Sequence, residues 1–183
     1  TLEFCNLGEV IRESVGLAMH YVVEAMRFGY SNRMSLGDPL FEPQVPSYDV
    51  PQMLSKQHVA TLRRRIRANA TFPPEYYADL VNVSTVFQDG TTHFNVLDSS
   101  GLAVACTTTV NEVFGSMVQL PVSGILLNDE MDDFSSPDFS NSFGYPPSEP
   151  NFIAPRKTPL SSMSPTMVER NGQLYLSLGA SGG

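Results

Sequence analysis

The residues Gly90-Thr91-Thr92-His93-Phe94-Asn95-Val96-Leu97-Asp98-Ser99-Ser100-Gly101-Leu102-Ala103-Val104-Ala105-Cys106-Thr107-Thr108-Thr109-Val110 decide how this chain folds. From Thr91, the set His93, Asn95 and Leu97 alternates with Phe94, Val96 and Asp98. That alternation predicts a strand. Asp98 to Gly101 reads as a turn, and Leu102 to Val110 as the returning strand. The second strand is almost wholly apolar or β-branched, which predicts cover on both faces. The hairpin begins at a threonine preceded by a glycine. A threonine hydroxyl needs a nearby base to act as a nucleophile, and its own α-amine can be that base once the chain is cut before it.

Upstream, Val10, Ile11, Val15, Met19, Val22, Val23 and Met26 recur at helical spacing, with Glu9, Arg12, Glu13 and Arg27 between them. They predict one amphipathic helix running to about Asn32, closed by Gly37-Asp38-Pro39. Residues 40–54 read as a surface loop. A second helix is expected from Lys56 to Ala68 with Ser55 as its cap. Pro73-Pro74 should end any helix there, and 75–90 reads as an exposed linker. Downstream, Gly124 to Leu127 is a short apolar stretch leading into the acidic run Asn128 to Asp133. Residues 135–160 are dense in Ser, Pro and Asn and should be irregular. Arg170-Asn171-Gly172 between Thr166–Glu169 and Gln173–Leu178 predicts a hairpin. The order is helices first, then antiparallel strands, so the fold class expected is α+β.

The chain has 183 residues and a net charge of -8, which argues against a nucleic-acid partner. The cationic run Arg63, Arg64, Arg65 and Arg67 is expected to be a solvated helix face. His20, His58 and His93 are too scattered for a metal cluster, and no metal or cofactor is expected. Cys5 and Cys106 read as two small buried residues rather than a disulfide. No apolar run approaches the roughly 20 residues that cross a bilayer. Asn69-Ala70-Thr71 and Asn82-Val83-Ser84 are N-glycosylation sequons, which would suit a secreted protein. A start at Thr1 and a close at Gly182-Gly183 suggest a piece of a longer polypeptide.

Several segments together carry a resemblance. They are Thr91-Thr92-His93, Thr107-Thr108-Thr109 with Asn111, Pro121-Val122-Ser123-Gly124-Ile125-Leu126-Leu127-Asn128, Glu130-Met131-Asp132-Asp133-Phe134-Ser135, Pro159-Leu160-Ser161-Ser162-Met163 and Gly179-Ala180-Ser181-Gly182-Gly183. In this order they resemble the start of the small subunit of gamma-glutamyltransferases, which are N-terminal nucleophile hydrolases. Glu24-Ala25-Met26-Arg27-Phe28 and Leu36-Gly37-Asp38-Pro39 resemble the end of the large subunit.

The resemblance implies part of an αββα sandwich, with residues 1–90 from the large subunit and 91–183 from the small one. It implies cleavage between Gly90 and Thr91, with Thr91 as nucleophile and Thr109 as its support. Asn111, Glu130 and Asp133 would hold the donor's α-amino group, Ser161 and Ser162 its α-carboxylate, and Gly182 and Gly183 the oxyanion. Donors would be glutathione and other γ-glutamyl compounds, and acceptors water, amino acids or dipeptides. Glu130 resembles the animal-type enzymes, which favour transfer. The resemblance also implies an extracellular or plasma-membrane location, and an upstream carboxylate-binding arginine that no residue here matches, so this segment alone is expected to be inactive. Two other readings stay open: a homologue that has lost activity, and a β-lactam side-chain acylase of the same fold, which the acidic pair disfavours.

Overall fold

The computed structural model describes every residue except 1, 42–49, 78–89, 142–143 and 182–183. Asn82, Gly182 and Gly183 therefore lie outside the described residues. The chain divides into two compact units, one of Thr1–Val83 with Ser148–Asn151, the other of Ser84–Pro147 with Phe152–Gly183.

The first unit is helical. A 3-10 turn at Leu2–Cys5 leads into α1 (Leu7–Glu13) and α2 (Val15–Arg33), followed by α3 (Val50–Met53), α4 (Lys56–Arg65) and α5 (Pro74–Tyr77). The single helix expected from residue 10 to 32 is thus two. Ser14 takes an extended backbone at φ −155°, ends α1, and caps α2 by accepting the Leu17 N–H on its hydroxyl at 3.2 Å. The buried face also differs from the aliphatic stripe. Ala18, Tyr21, Glu24 and Phe28 are buried, whereas Ile11, Val15, Met19, Val23 and Met26 are exposed. The aromatic rings decide this, because each buries more surface than an aliphatic side chain. Phe28 meets Tyr77 edge-on with centroids 5.0 Å apart, and Tyr76 stacks on Phe72 at 4.1 Å. Tyr21, Phe28, Ile66, Tyr77 and Cys5 form the core.

Pro74 opens a helical turn rather than forbidding one, as a proline can at a first helical position. The turn places the Tyr77 hydroxyl 2.7 Å from the buried Glu24 carboxylate, which Thr71 also reaches at 2.8 Å. Ser55 caps α4 as expected, its hydroxyl accepting the His58 N–H at 3.1 Å. The helix stops at Arg65, short of Ala68, where Ile66 turns extended and enters the core. The arginine run is not simply solvated. Arg63 lies over Tyr21 at 5.1 Å, and Arg65 over both Phe28 and Tyr76 at 4.8 Å. Neither cysteine is in a disulfide; Cys5 is buried and Cys106 half-buried. Among the described residues no helix is long and apolar enough to cross a membrane.

The second unit holds the strands. β1 (Thr91–Leu97) pairs antiparallel with β2 (Ala103–Thr109), Thr91 opposite Thr109 and Leu97 opposite Ala103. Asp98 closes the turn, its Oδ1 accepting N–H groups of Ser100 at 2.8 Å and Leu102 at 3.0 Å and the Ser100 hydroxyl at 2.7 Å. These bonds, led by the Ser100 hydroxyl, hold its carboxyl below the ordinary value. β3 (Thr166–Arg170) and β4 (Gln173–Leu178) form the predicted second hairpin. Asn171 and Gly172 at its tip have φ of 55° and 73°, which the Asn-Gly pair tolerates. β4 packs against β1 and β2. Full cover of β2 is not found: Val104 is 48% exposed, while Ala105, Thr107 and Thr109 on the alternate face are partly covered. Among its described residues the long connection from 135 to 160, of which Ser148–Asn151 belongs to the first unit, is irregular apart from a 3-10 turn at Glu149–Asn151 and a bridge from Ser135 to Phe152.

Candidate active site

The hairpin register sets the first element of the site. Because Thr91 and Thr109 are ladder partners with side chains on one face, their hydroxyls meet, Oγ1 to Oγ1, at 3.0 Å. Thr109 is fixed from behind. Its oxygen accepts the Asn111 N–H at 2.8 Å, so its own proton is left to give forward. Two acceptors lie in reach, Thr91 Oγ1 and the Gly90 carbonyl at 3.4 Å. The same carbonyl accepts the Val110 N–H at 3.2 Å. The oxygen of the peptide before Thr91 thus has one backbone donor and, when Thr109 turns its proton that way, a second, an arrangement that polarises a carbonyl toward nucleophilic attack.

Close packing explains the glycine. A Cβ at position 90 would stand 2.2 Å from the Asn111 carbonyl oxygen and 2.4 Å from that of Glu112. Both are backbone atoms with no freedom to swing aside. Asn111 itself is buried with φ 75°, a conformation asparagine accepts more readily than most residues.

Asn111 joins this corner to the acidic loop. Its side-chain amide donates to the Asp129 carbonyl at 3.3 Å, the Asp129 N–H donates to the Val110 carbonyl at 3.2 Å, and the Glu112 N–H donates to Asp129 Oδ1 at 3.0 Å. Asp129 is thus the residue through which the loop is tied to the end of β2. Nothing in the sequence singles it out, since it reads there as one of several carboxylates in a polar run. Glu130–Asp133 is a 3-10 turn. With three residues per turn, positions i and i+3 eclipse, which sets Glu130 and Asp133 on one face of the turn. Asp129 precedes the turn with a non-helical backbone, and it, Glu112 and Asp132 bring one carboxylate oxygen each within 4.8 Å of one another. Burial, and then the charges of Asp129 and Glu112, push the Asp132 carboxyl above its ordinary value.

Ser161 and Ser162 lie in irregular chain before β3. The Ser161 hydroxyl accepts the Met163 N–H at 3.2 Å, and the Ser162 carbonyl accepts the Ser164 hydroxyl at 3.2 Å. The structure thus gathers Gly90, Thr91, Thr109 and Asn111 into one corner and ties the Glu130–Asp133 turn to it. Asn69 is exposed in a tight turn after α4.

Comparison with known proteins bears out the family resemblance. The family model described as gamma-glutamyltranspeptidase matches residues 2–183. Glutathione hydrolase 3 of Arabidopsis thaliana is 44% identical over 167 residues, covering 91% of this chain and 26% of its own length. A shorter Arabidopsis thaliana relative, named "Putative inactive glutathione hydrolase 4", is 43% identical over 155 residues, covering 82% of this chain and 78% of its own. The solved gamma-glutamyltranspeptidase of Pseudomonas nitroreducens complexed with L-DON is 52% identical, with a TM-score of 0.45, over 47% of this chain and 45% of that one. The chain thus spans about a quarter of the length of the first relative. With a match that runs almost end to end, this chain belongs to the gamma-glutamyltranspeptidase family.

Proposed function

We propose that this chain carries the nucleophile and donor-binding side chains of a gamma-glutamyltransferase/glutathione hydrolase, as part of an αββα N-terminal nucleophile hydrolase sandwich. The observation that carries the reading is the Thr91–Thr109 hydroxyl pair at 3.0 Å, set beside a Gly90 carbonyl that accepts the Val110 N–H and has the Thr109 hydroxyl in reach. In the uncut chain, Thr91 Oγ1 attacks the Gly90 carbonyl carbon. The amide nitrogen leaves as the Thr91 amine, and water hydrolyses the resulting ester. The freed amine then serves as the base that the threonine hydroxyl requires.

In turnover, Thr91 Oγ1 loses its proton to that amine and attacks the γ-carbonyl of a donor such as glutathione. The Gly182 and Gly183 N–H groups would receive the oxyanion, each worth about 3–4 kcal/mol to the transition state. The proton passes to the departing amine, and a γ-glutamyl ester remains on Thr91. Water or the amine of an amino acid or dipeptide then takes the acyl group. Asn111, Glu130 and Asp133 hold the donor ammonium, and a shared face for Glu130 and Asp133 suits one cation between two carboxylates. Ser161 and Ser162 hold the donor carboxylate. Extracellular placement and glycosylation at Asn69 and Asn82 belong to the same proposal.

A homologue without activity is the second reading, favoured by the name of the shorter relative. One experiment separates the two. The precursor is expressed, its small chain is sequenced from the N-terminus, and release of anilide from a γ-glutamyl anilide is followed. A new N-terminus at Thr91 together with anilide release supports the enzyme. An uncut, inactive precursor supports the second reading.

A further inference from the structure

His93 follows Thr91 by two residues on β1, so their side chains share a face about 7 Å apart along the strand. Its ring is anchored at both nitrogens. Nε2 lies 3.3 Å from Asn95 Oδ1, an atom that only accepts, so the ring donates there. Nδ1 lies 2.8 Å from Thr107 Oγ1, a hydroxyl able to donate or accept there. Asn95 Oδ1 is in turn held by the Ser177 hydroxyl of β4. The ring can neither flip nor slide without breaking this line of bonds.

Gly179, the first residue after β4, lies close against the Nδ1 side of that ring. A Cβ there would stand 2.2 Å from Nδ1, 2.4 Å from Cε1 and 2.6 Å from Cγ. The contact is with the Nδ1 edge of an anchored ring, close to its root on the backbone, so the ring has little room to give. We propose that His93 is a positioning residue: its ring is the seat for Gly179, and it fixes the course on which the Gly-Ala-Ser segment leaves β4 against β1, the strand that begins at Thr91. This inference rests on the functional reading above, in which the glycines further along that segment receive the oxyanion. Geometry of this kind matters because a displacement on the order of 1 Å in a catalytic group can cost about 100-fold in rate.

The test is a double-mutant cycle of Gly179→Ala and His93→Ala in the full precursor, read as kcat and KM for γ-glutamyl anilide after Thr91 has been exposed. Gly179→Ala alone should lower kcat by about 10- to 100-fold with KM within about twofold, since the donor-binding side chains lie elsewhere. His93→Ala alone should lower kcat less. In the His93→Ala background, adding Gly179→Ala should cost little further, because the space it needs has been opened. Losses that multiply independently would overturn the inference. Should Gly179→Ala prove insoluble, recovery of soluble, cleaved protein in the double variant supports the seat, and failure to recover it counts against it. A wild-type precursor that releases no anilide would overturn the functional reading and this inference with it. An active wild type with independent losses overturns the inference alone.

Discussion

The Gly90 carbonyl oxygen accepts the Val110 backbone N–H at 3.2 Å, a bond that fastens the peptide before Thr91 to the end of β2. Glycine is needed for this approach, since the Asn111 and Glu112 carbonyl oxygens stand 2.2 and 2.4 Å from where a Cβ would be. Gly90→Ala should push the two segments apart, break the Val110 bond and slow the cut before Thr91 by about 10-fold or more. Conversion of precursor to two chains, followed on a denaturing gel over time, checks this. Unchanged conversion would show that the held carbonyl plays no part.

Thr109 offers a sharper test, because its hydroxyl has three neighbours. Thr109→Val keeps the shape, removes the proton given toward Thr91 or Gly90, and leaves the Asn111 N–H without its acceptor at 2.8 Å. Turnover should fall by about 100-fold, within the range for losing a positioned proton-transfer partner. Thr109→Ser should retain most of the activity. Equal losses in the two variants would place the effect in packing rather than in the hydroxyl.

The second unit was the more legible in sequence, and the reason is local. Period-2 alternation from Thr91, the Asp98-to-Gly101 turn and the Asn171-Gly172 tip each specify backbone within a few residues, so both hairpins are found where expected. The pairing of Thr91 with Thr109 follows from the turn length alone. The helical unit was less legible, because two patterns compete on α2. The aliphatic stripe Val15, Met19, Val23 and Met26 is the more regular, yet Tyr21 and Phe28 are buried with Tyr77, a partner far along the chain. Nothing near residue 21 announces that partner. The same holds for Asp129, whose bonds to Val110, Asn111 and Glu112 depend on how the loop returns to β2, and for Gly179, whose seat on His93 is visible only in space.

Glu24 shows what holds the helical unit together. Its carboxylate is 1% exposed, accepts the Tyr77 and Thr71 hydroxyls at 2.7 and 2.8 Å, and lies 3.6 Å from Arg27. Glu24→Ala would take the carboxylate acceptor from the buried Tyr77 hydroxyl and from the exposed Thr71 hydroxyl, which lie 3.1 Å apart and can then bond each other, and would open a void beside Phe28. The expected destabilisation is about 2 kcal/mol, most of it from the lost carboxylate bonds and the void, because Arg27 is part-exposed and contributes less. Tyr77→Phe removes one donor and should cost about 1 kcal/mol. Denaturant midpoints of the two variants check the order. A Glu24→Ala protein as stable as the parent would mean that the network is ornamental.

Two carboxylates give opposite pH dependences, and each sign follows from its surroundings. Asp132 is held above its ordinary value of 3.8, by burial first and then by Asp129 and Glu112. Its folded form takes up a proton more readily than the unfolded chain does. The stability it contributes is therefore complete below 3.8 and is lost as pH rises through the raised folded value, so that at neutral pH the ionised group opposes folding. Asp132→Asn removes that opposition. It should raise the unfolding temperature at pH 7 by roughly 1–3 °C, a small effect because Asp132 is largely solvent-facing, and the gain should vanish below about pH 3.5. Asp98 behaves in reverse. Its carboxyl is held below 3.8 by the Ser100 hydroxyl and the turn N–H groups, so its contribution is present above 3.8 and lost as pH falls through the lowered folded value. Asp98→Ala should therefore lower the unfolding temperature at pH 7 and lose that effect in strong acid. Unfolding temperatures of the two variants and the parent across pH 2 to 8 test both signs together. An Asp132→Asn protein that is less stable than the parent at pH 7 would mean that the carboxylate holds a partner worth more than the repulsion from Asp129 and Glu112.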